Sequence, residues 1–446
     1  MRQMRLDVHS AAQRAARLAL MAAFAVAYPV IAPAVTEMPI TFDGYAKTST
    51  LTNFPALVLL STNRAGFSYS QFLTPDGGDL RFYDATWTAE LNYEIESWNT
   101  SGASAVWVQV PQLATGALIN ARWGTGEAAP GYSTNGSTWT NGFNGVWHLG
   151  EGAGKARDSS GFGNPGTFTG GNLPQPVPGA AGDGQRMNGS SDYLDGGNGA
   201  PLSADLDDSA LSIWVNPESV AGEDGLLSKW GNSWCWTLND GRQRIYYNAW
   251  RDATSTLATG TWSHVAVSYD GAGDRVYFYL NGEPDGNIAD SAGPGTGASL
   301  YIGHRGAGGG PALHGRVDEA RLSRVFRSGD WMWAEYRTVA SNDTFCVYGA
   351  AGAPSGPPAV IVRPPTNVTA TGAALNGYLT HTGGSATAVS VYLGETDAGA
   401  TNDGWNGTND LAGAVDIGPV SIQVALPEGK ELFYRYAASN DDGTNW

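Results

Sequence analysis

The chain has 446 residues, enough for about three domains of ordinary size, and carries a net charge of −17 at pH 7 with a pI near 4.6. This acidic balance repels nucleic-acid phosphates and anionic membrane surfaces, which argues against nucleic acid as a partner. Only 15% of the residues are charged, whereas glycine reaches 61 and tryptophan 16. That composition is typical of β-sandwiches, which need many turns and carry large aromatic residues in their strands.

The first 34 residues predict a secretory signal peptide. Arginines between Arg2 and Arg17 precede an apolar run from Leu18 to Tyr28, and Ala32-Pro33-Ala34 gives a small-x-small cleavage pattern. Pro29 interrupts the run before it reaches the ~20 apolar residues of a spanning helix, so we favour cleavage over a permanent anchor. We expect a secreted or cell-surface protein without stable membrane insertion after cleavage.

Strand-like runs separated by Gly, Pro and Asn predict an all-β chain of three β-sandwich units in series. The units are predicted over residues 35–124, 141–350 and 362–446, with linkers at 125–140 and 351–361. The chain stops at Trp446, where a last strand of the third unit is expected to begin, so we expect that a longer protein continues beyond it.

The clearest strand pattern lies between Thr261 and Arg324. Val276, Phe278 and Leu280 alternate with residues of the opposite face, as in a β-strand. The Asn281-Gly282 pair that follows supplies the positive φ angles that tight hairpins need. The middle unit is therefore predicted to be built from short antiparallel hairpins.

Motifs in this unit resemble, in order, those of LamG-like domains, which are jelly rolls of the concanavalin A-like lectin/glucanase type. They are Trp-Ser-His-Val-Ala from Trp262, Tyr-Leu-Asn-Gly from Tyr279, Leu-Tyr-Ile-Gly from Leu300 and Gly-Arg-Val-Asp-Glu-Ala-Arg-Leu from Gly315. The resemblance implies a protein that binds or displays rather than one that catalyses.

The two flanking units also resemble known modules. YEIESW and VWVQVPQL in the first unit are similar to a bacterial secreted domain of unknown function. Leu-Pro-Glu-Gly from Leu426, followed by Leu-Phe-Tyr-Arg from Leu432, resembles a fibronectin type III-like module. Neither resemblance implies an enzymatic activity.

Two pairs of carboxylates raise the question of glycan hydrolysis, which needs an acid and a nucleophile or base about 5–9.5 Å apart. Glu94 and Glu96 share one strand face, where alternate residues lie about 6.5–7 Å apart, but they belong to the first unit. Asp318 and Glu319 lie in the jelly roll, but adjacent strand residues point to opposite faces. We interpret both pairs as exposed strand carboxylates and expect no catalysis.

The resemblance also implies a calcium site. Related sandwiches often hold one calcium ion with a late aspartate and groups from an early loop, which points to Asp318 and Asp158, with Asp195 a weaker candidate. Calcium takes about six to eight oxygen ligands, which the carbonyls of glycine-rich loops supply. The alternative is that Asp318 caps a turn and Asp158 makes an Asx-turn.

Tryptophans cluster between residues 230 and 250 and suggest a platform on which sugar rings stack. Two of them alternate along one strand and are expected in the core. Trp230 and Trp250 border loops and are better candidates for ligand contacts. Asn232 and Arg242 lie near them in sequence and are predicted to bond sugar hydroxyls.

Cys235 and Cys346 are the only cysteines, too few for a disulfide-built fold. Both fall within the predicted central unit. One bridge between them and two unpaired buried thiols both remain open.

The sequence favours a secreted, multi-module binding or adhesion protein whose LamG-like unit recognises a glycan or an extracellular protein. One alternative is a structural spacer of an extracellular envelope protein. Another is an accessory region of a larger glycan hydrolase, with the catalytic unit beyond Trp446.

Overall fold

The computed structural model describes residues 35–203, 208–229, 234–247, 249–290, 298–306, 310–427 and 431–446. The signal segment and two candidate ligand residues, Trp230 and Asn232, lie outside this part of the chain. The described strands form six antiparallel sheets. The all-β prediction is therefore confirmed.

The elements follow one another in three groups. The first group is β1 (Thr36–Thr41), β2 (Leu51–Ser61), β3 (Arg81–Asp84), β4 (Tyr93–Ser97), β5 (Ala103–Leu113) and β6 (Leu118–Trp123). The second group is β7 (Phe143–Trp147), β8 (Thr167–Thr169), β9 (Pro176–Pro178), β10 (Asp183–Asn188), β11 (Tyr193–Gly197), α1 (Ala200–Ser203), β12 (Ser209–Pro217), β13 (Glu223–Ser228), β14 (Cys235–Asn239), β15 (Arg242–Tyr246), β16 (Trp250–Thr256), β17 (Ser263–Asp270), β18 (Arg275–Leu280), β19 (Glu283–Ala289), β20 (Leu300–Ile302), β21 (His314–Ser323), α2 (Gly329–Ala340), α3 (Asn342–Phe345) and β22 (Val347–Tyr348). The third group is β23 (Ala359–Thr366), β24 (Gly372–His381), β25 (Ala388–Gly394), β26 (Gly407–Asp410), β27 (Gly418–Ala425), β28 (Phe433–Asn440) and β29 (Gly443–Asn445).

The central unit is a sandwich of two large sheets. One has the order β19-β18-β17-β12-β21-β10-β9, with β7 also paired to β21, and the other has the order β16-β15-β14-β13-β20-β11-β8. Inward-facing residues such as Trp236, Ile245, Val265 and Phe278 are fully buried between them. The alternation predicted for β18 is thus present, with Val276 also in this core.

The first unit is a smaller sandwich with sheet orders β22-β1-β6-β3 and β2-β5-β4. Its edge strand β22 comes from far along the chain, where Tyr348 pairs with Ile40 and Val347 with Thr41. The Tyr348 hydroxyl also accepts a hydrogen bond from the Leu59 amide at 2.8 Å. The boundary predicted at residue 350 is therefore wrong for this strand, which completes the first unit.

The first and central units share one apolar core. Trp331 and Met332 on α2 belong to the same buried cluster as Phe54 of the first unit and Ala266 and Tyr279 of the eight-stranded sheet. The outer face of the eight-stranded sheet is consequently covered. The described strands of the seven-stranded sheet contribute nothing to this cluster.

The segment 125–140, predicted as a linker, is packed against the first unit. Its two short 3-10 helices are Gly131–Ser133 and Ser137–Trp139. The Trp139 side chain is fully buried, and its indole nitrogen donates a hydrogen bond to Glu94. Polar composition concealed this one anchoring residue.

The third unit has the sheets β23-β24-β27 and β26-β25-β28-β29 around a small core. It contacts the first unit through His381, whose ring stacks on Trp87 at 4.7 Å and lies 2.9 Å from Glu37. The three units are thus linked by side-chain contacts as well as by the chain.

The two cysteines are both buried and unpaired. Cys346 lies in the core of the first unit, whereas Cys235 lies on β14 of the seven-stranded sheet. The sequence left open a bridge or two separate thiols, and the structure shows separate thiols. They lie apart because Cys346 directly precedes β22, the strand that returns to the first unit. None of the described helices has the length and apolar character needed to cross a bilayer.

Candidate functional site

The outer surface of the seven-stranded sheet carries a row of paired side chains. Residues directly opposite on neighbouring strands share a face of the sheet. The register pairs Trp250 with Tyr246, Tyr246 with Cys235, Cys235 with Ser228 and Ser228 with Tyr301. Because Ile245 next to Tyr246 lies in the core, this row points away from the core. Its middle members, Cys235 and Ser228, are fully buried, whereas Trp250, Tyr246 and Tyr301 at its two ends are partly exposed.

We call this surface the aromatic face and define it by Tyr193, Tyr246, Trp250, Tyr301 and His304. The rings of Tyr246 and Trp250 meet edge to face at 5.2 Å. Tyr193 contacts Tyr301 at 5.5 Å and His304 at 5.0 Å. Four of these residues are half-buried, and His304 is buried.

Charged side chains surround these rings. Arg244 lies over Trp250, 5.4 Å from the ring centre, and pairs with Asp252 at 2.5 Å. Arg242 is exposed on the same face, because it stands two residues from Arg244 on β15. The structure therefore brings Trp250 and Arg242, both candidates from the sequence, to one surface.

This arrangement suits a ligand with alternating apolar and hydroxyl-bearing surfaces. The faces of Trp and Tyr rings pack against apolar C–H groups, while their polar atoms and the nearby arginine offer hydrogen bonds. Sugars have both kinds of surface. Trp234 and Trp236 are buried in the core, as expected, and Trp250 lies on the outer face.

Asp158 is engaged by its own loop. Its carboxylate accepts hydrogen bonds from the amides of Val146 at 3.1 Å, Ser160 at 2.9 Å and Asn164 at 2.9 Å. These bonds hold the loop that follows β7. They correspond to the Asx-turn role that the sequence left open as the alternative.

Asp318 is engaged elsewhere. Its carboxylate accepts hydrogen bonds from the amides of Ala180 at 2.7 Å, Ala181 at 2.9 Å and Glu319 at 2.9 Å. Burial and the neighbouring Glu319 charge raise the pKa of Asp318 well above its usual range. Asp195 makes a local turn, accepting from the amide two residues on. The candidate calcium ligands thus have separate sets of backbone partners in the structure.

A second group of ionisable residues lies where the first and central units meet. We call it the carboxylate–histidine cluster and define it by Glu94 and Glu96 of β4, His148 after β7, and Glu319 of β21. The His148 Nδ1 atom lies 2.6 Å from Glu319 Oε1 and 3.7 Å from Glu96 Oε2. The His148 Nε2 atom lies 3.8 Å from Glu94 Oε2. The sequence did not predict this cluster.

Two buried tryptophans orient the carboxylates of β4. The indole nitrogen of Trp107 donates to Glu96 Oε2 at 2.7 Å, and that of Trp139 donates to Glu94 Oε2 at 2.7 Å. The Trp107 ring also stacks beside His148, with ring centres 6.0 Å apart. Hydrogen bonds from rigid, buried rings fix the positions of both carboxylates.

Arginines balance two of the three glutamates. Arg157 lies 2.8 Å from Glu94, and Arg321 lies 2.6 Å from Glu319. In the described part of the chain, the one basic side chain within salt-bridge distance of Glu96 is His148. The negative charge is therefore least balanced at Glu96.

The pKa values follow this charge distribution. Burial and the Glu319 charge raise the pKa of Glu96 to about 8. Burial alone would lower the pKa of His148, but Glu319, Glu94 and Glu96 raise it well above its usual range. Burial would raise the pKa of Glu319, but His148 and Arg321 lower it. The mutual attraction of His148 and Glu319 therefore favours the charged form of each.

A β-bulge directs Glu319 toward His148. Glu319 has φ +50, a conformation that is rare for a non-glycine residue in a strand. The register of β12 against β21 shifts between Ser212 and Trp214, so an extra residue of β21 is accommodated here. Because of this bulge, Asp318 and Glu319 do not follow the alternation of a regular strand.

The interpretation of the two carboxylate pairs as exposed strand carboxylates is wrong. The Glu94, Glu96 and Glu319 side chains are only 3%, 4% and 1% exposed. They are buried because the first unit covers the edge of the central unit at this point. A cavity of about 210 Å³ adjoins the cluster, and its polar lining includes Glu94, Glu96, His148, Glu151, Arg157 and Asp183.

The two large sheets packed face to face define a concanavalin-type sandwich. Residues 188–331 match the family model of the concanavalin A-like lectin/glucanases superfamily, and residues 76–145 match that of a domain of unknown function, DUF2341. The chain thus contains a concanavalin A-like domain with the DUF2341 domain upstream, as the resemblance implied.

Several solved structures are similar to parts of this chain. One is domain 4 of AbnA, a GH43 extracellular arabinanase from Geobacillus stearothermophilus, in complex with arabinotriose, with 22% identity, coverage of 43% of this chain and 96% of that chain, and a TM-score of 0.34. Another is the CBM40 of the Ruminococcus gnavus IT-sialidase bound to alpha2,3 sialyllactose, with 15% identity, coverage of 34% and 96%, and a TM-score of 0.30. A third is the Trypanosoma rangeli sialidase in complex with sialic acid, with 14% identity, coverage of 56% and 43%, and a TM-score of 0.35.

At these identities and TM-scores, the likenesses assign neither a ligand nor an activity to this chain. No curated protein matches it.

Proposed function

We propose that the chain is a secreted or cell-surface binding protein whose concanavalin A-like unit recognises a glycan through the aromatic face, without catalysing a reaction. The observation that carries this proposal is the two pairs of partly exposed rings, Trp250 with Tyr246 and Tyr301 with Tyr193, on the outer side of the seven-stranded sheet. The predicted signal peptide supports export. The third unit, in this proposal, is a fibronectin type III-like module that spaces or presents the binding unit.

The charges around the aromatic face support binding rather than hydrolysis. Asp252 is paired with Arg244 at 2.5 Å, and Glu223 is paired with Arg305 at 2.7 Å. In each pair the guanidinium occupies the side of the carboxylate that faces it, so the carboxylate is engaged in a structural ion pair. Such pairs present hydrogen-bonding groups in fixed positions.

A glycan array tests the proposal. The secreted form of the chain is expected to bind a restricted set of glycans, and Trp250→Ala is expected to weaken that binding by about tenfold or more, since an aromatic contact contributes roughly 1 kcal/mol beyond its buried area. Trp405→Ala is the matched control, because Trp405 is a half-buried tryptophan of the third unit.

Binding that survives in Trp250→Ala would place the ligand elsewhere. A chain that binds no glycan and no extracellular protein would instead be a structural spacer.

We further propose that Asp158 and Asp318 bind calcium, and this is tested separately from glycan binding. A melting temperature that rises with calcium, and no longer rises in Asp318→Ala, would support the predicted site. The same melting temperature with calcium and with a chelator would exclude it. The array is therefore run under both conditions.

A further inference from the structure

The carboxylate–histidine cluster has the composition of a metal site. Ligand atoms of Glu96, His148 and Glu319 all lie within 4.8 Å of one another. One imidazole and two carboxylates are a donor set that suits divalent ions such as zinc, whereas calcium prefers an all-oxygen shell. Glu96 lies on β4, Glu319 on β21 and His148 just after β7, so only the folded chain brings them together.

The two ring nitrogens of His148 have different surroundings. His148 is only 7% exposed, and its Nε2 atom has no hydrogen-bond partner among the described residues. A buried polar atom without a partner costs free energy, so such atoms call for an explanation. The nearest carboxylate oxygen, Glu94 Oε2, is 3.8 Å away.

These features match the usual surroundings of a metal-bound histidine. Such a histidine binds the ion with one ring nitrogen and donates the other N–H to a carboxylate. Here the Nδ1 atom faces Glu96 and Glu319, while Nε2 faces Glu94. An ion on Nδ1 would fix the tautomer in which Nε2 carries the proton and donates to Glu94.

We propose that Glu96, His148 and Glu319 bind one divalent first-row transition-metal ion, of which zinc is the representative probe, and that this ion ties the first unit to the central unit. Zinc holds its ligands at about 2.0–2.2 Å, which separates tetrahedral ligand atoms by about 3.4 Å. The distance from His148 Nδ1 to Glu96 Oε2 is 3.7 Å, close to that value. The 2.6 Å hydrogen bond between His148 and Glu319 is the contact that the ion replaces and widens.

The adjoining cavity completes the site. Its volume of about 210 Å³ is sufficient for several water molecules, which would fill the remaining coordination positions. The cavity also gives an entry path, since Arg157 on its wall is 45% exposed. The ion supplies positive charge at Glu96, the glutamate of the cluster that has no arginine beside it.

The test uses the full chain after treatment with a chelator and dialysis. Titration with zinc chloride in a calorimeter is expected to show one saturable equivalent. Glu96→Gln, which keeps the side-chain shape, is expected to weaken binding by about tenfold or more, whereas His314→Gln is expected to leave it unchanged. His314 is a suitable control because it is a partly exposed histidine beside a carboxylate, 3.2 Å from Glu218.

Cobalt absorption gives a readout that does not depend on the stability of a variant. The wild-type chain with one equivalent of cobalt(II) is expected to show visible d–d bands of a low-coordinate site, and zinc is expected to displace them. No saturable zinc binding, no cobalt bands, or equal affinity in Glu96→Gln and wild type would each overturn the proposal. None of these outcomes bears on glycan binding, which concerns the opposite sheet.

Discussion

Replacing Glu335 by glutamine removes one negative charge from the buried network between α2 and the eight-stranded sheet. The Glu335 Oε1 atom accepts hydrogen bonds from Arg321 at 3.0 Å and from Ser212 at 2.6 Å. His264 lies 3.9 Å away. Glutamine retains an oxygen at this position, so the substitution chiefly tests the charge.

The size of the effect follows from the pKa. Burial alone would raise the pKa of Glu335 above its ordinary value of 4.5, but the charge of Arg321, together with His264 and Ser212, lowers it to about 2. The difference between the pKa of 4.5 in the unfolded chain and about 2 in the folded chain corresponds to about 3 kcal/mol of stability, at about 1.36 kcal/mol per pKa unit. Because the folded-state pKa is the lower one, this stabilisation is present above about pH 4.5 and is lost as the pH falls toward 2.

Urea unfolding followed by tryptophan fluorescence measures the effect. At pH 7, Glu335→Gln is expected to lower the free energy of unfolding by about 3 kcal/mol, and the gap from wild type is expected to shrink between pH 4.5 and 2. Glu283→Gln is the control, because Glu283 is an exposed glutamate of the same unit. A gap that stays constant with pH, or a loss no larger than that of the control, would refute the electrostatic argument.

Two further predictions follow from local geometry. Gly182 and Gly154 both have positive φ, but only at Gly182 would an added Cβ atom meet another group, Glu96 Oε1 at 2.3 Å. In urea unfolding, Gly182→Ala is therefore expected to lower the free energy of unfolding by about 1–3 kcal/mol more than Gly154→Ala does. Equal losses would contradict that contact. Burial raises the pKa of both the Cys235 and Cys346 thiols, so a thiol reagent is expected to modify neither in the native protein and both after unfolding. Rapid modification of either native thiol would show that it is not buried as described.

The fold was largely predictable because strand periodicity and turn residues are local signals. Val276 and Phe278 alternate as predicted and lie in the central core. The same pattern could not show that Tyr279, on the opposite face, is also buried, at 4% exposure. That burial depends on α2 and the first unit, which cover the sheet from outside.

The carboxylate–histidine cluster was not predictable from spacing. His148 and Glu319 are 171 residues apart, and their contact requires β7 to pair with β21. The bulge at Glu319 also breaks the simple alternation on which its orientation was judged. Trp139, hidden in a polar stretch, gave the only local signal, since a tryptophan in a linker is a sign of packing.

The aromatic face was predicted only in part. Trp250 was identified because it borders a loop and Arg242 because it lies near the tryptophans in sequence, and the structure places them on one surface. Tyr193 and Tyr301 were missed, since nothing in the sequence reveals that β11 and β20 are neighbours. Pairing between distant strands decides which aromatic residues meet.

Hydrogen–deuterium exchange of the full chain, with and without a glycan identified by the array, tests the central claim most directly. We expect the glycan to protect amides of β15, β16 and β20, beneath the aromatic face, and to leave β4 near the carboxylate–histidine cluster unchanged. Protection at β4 without protection at β15 and β16 would contradict the assignment of the glycan to the aromatic face.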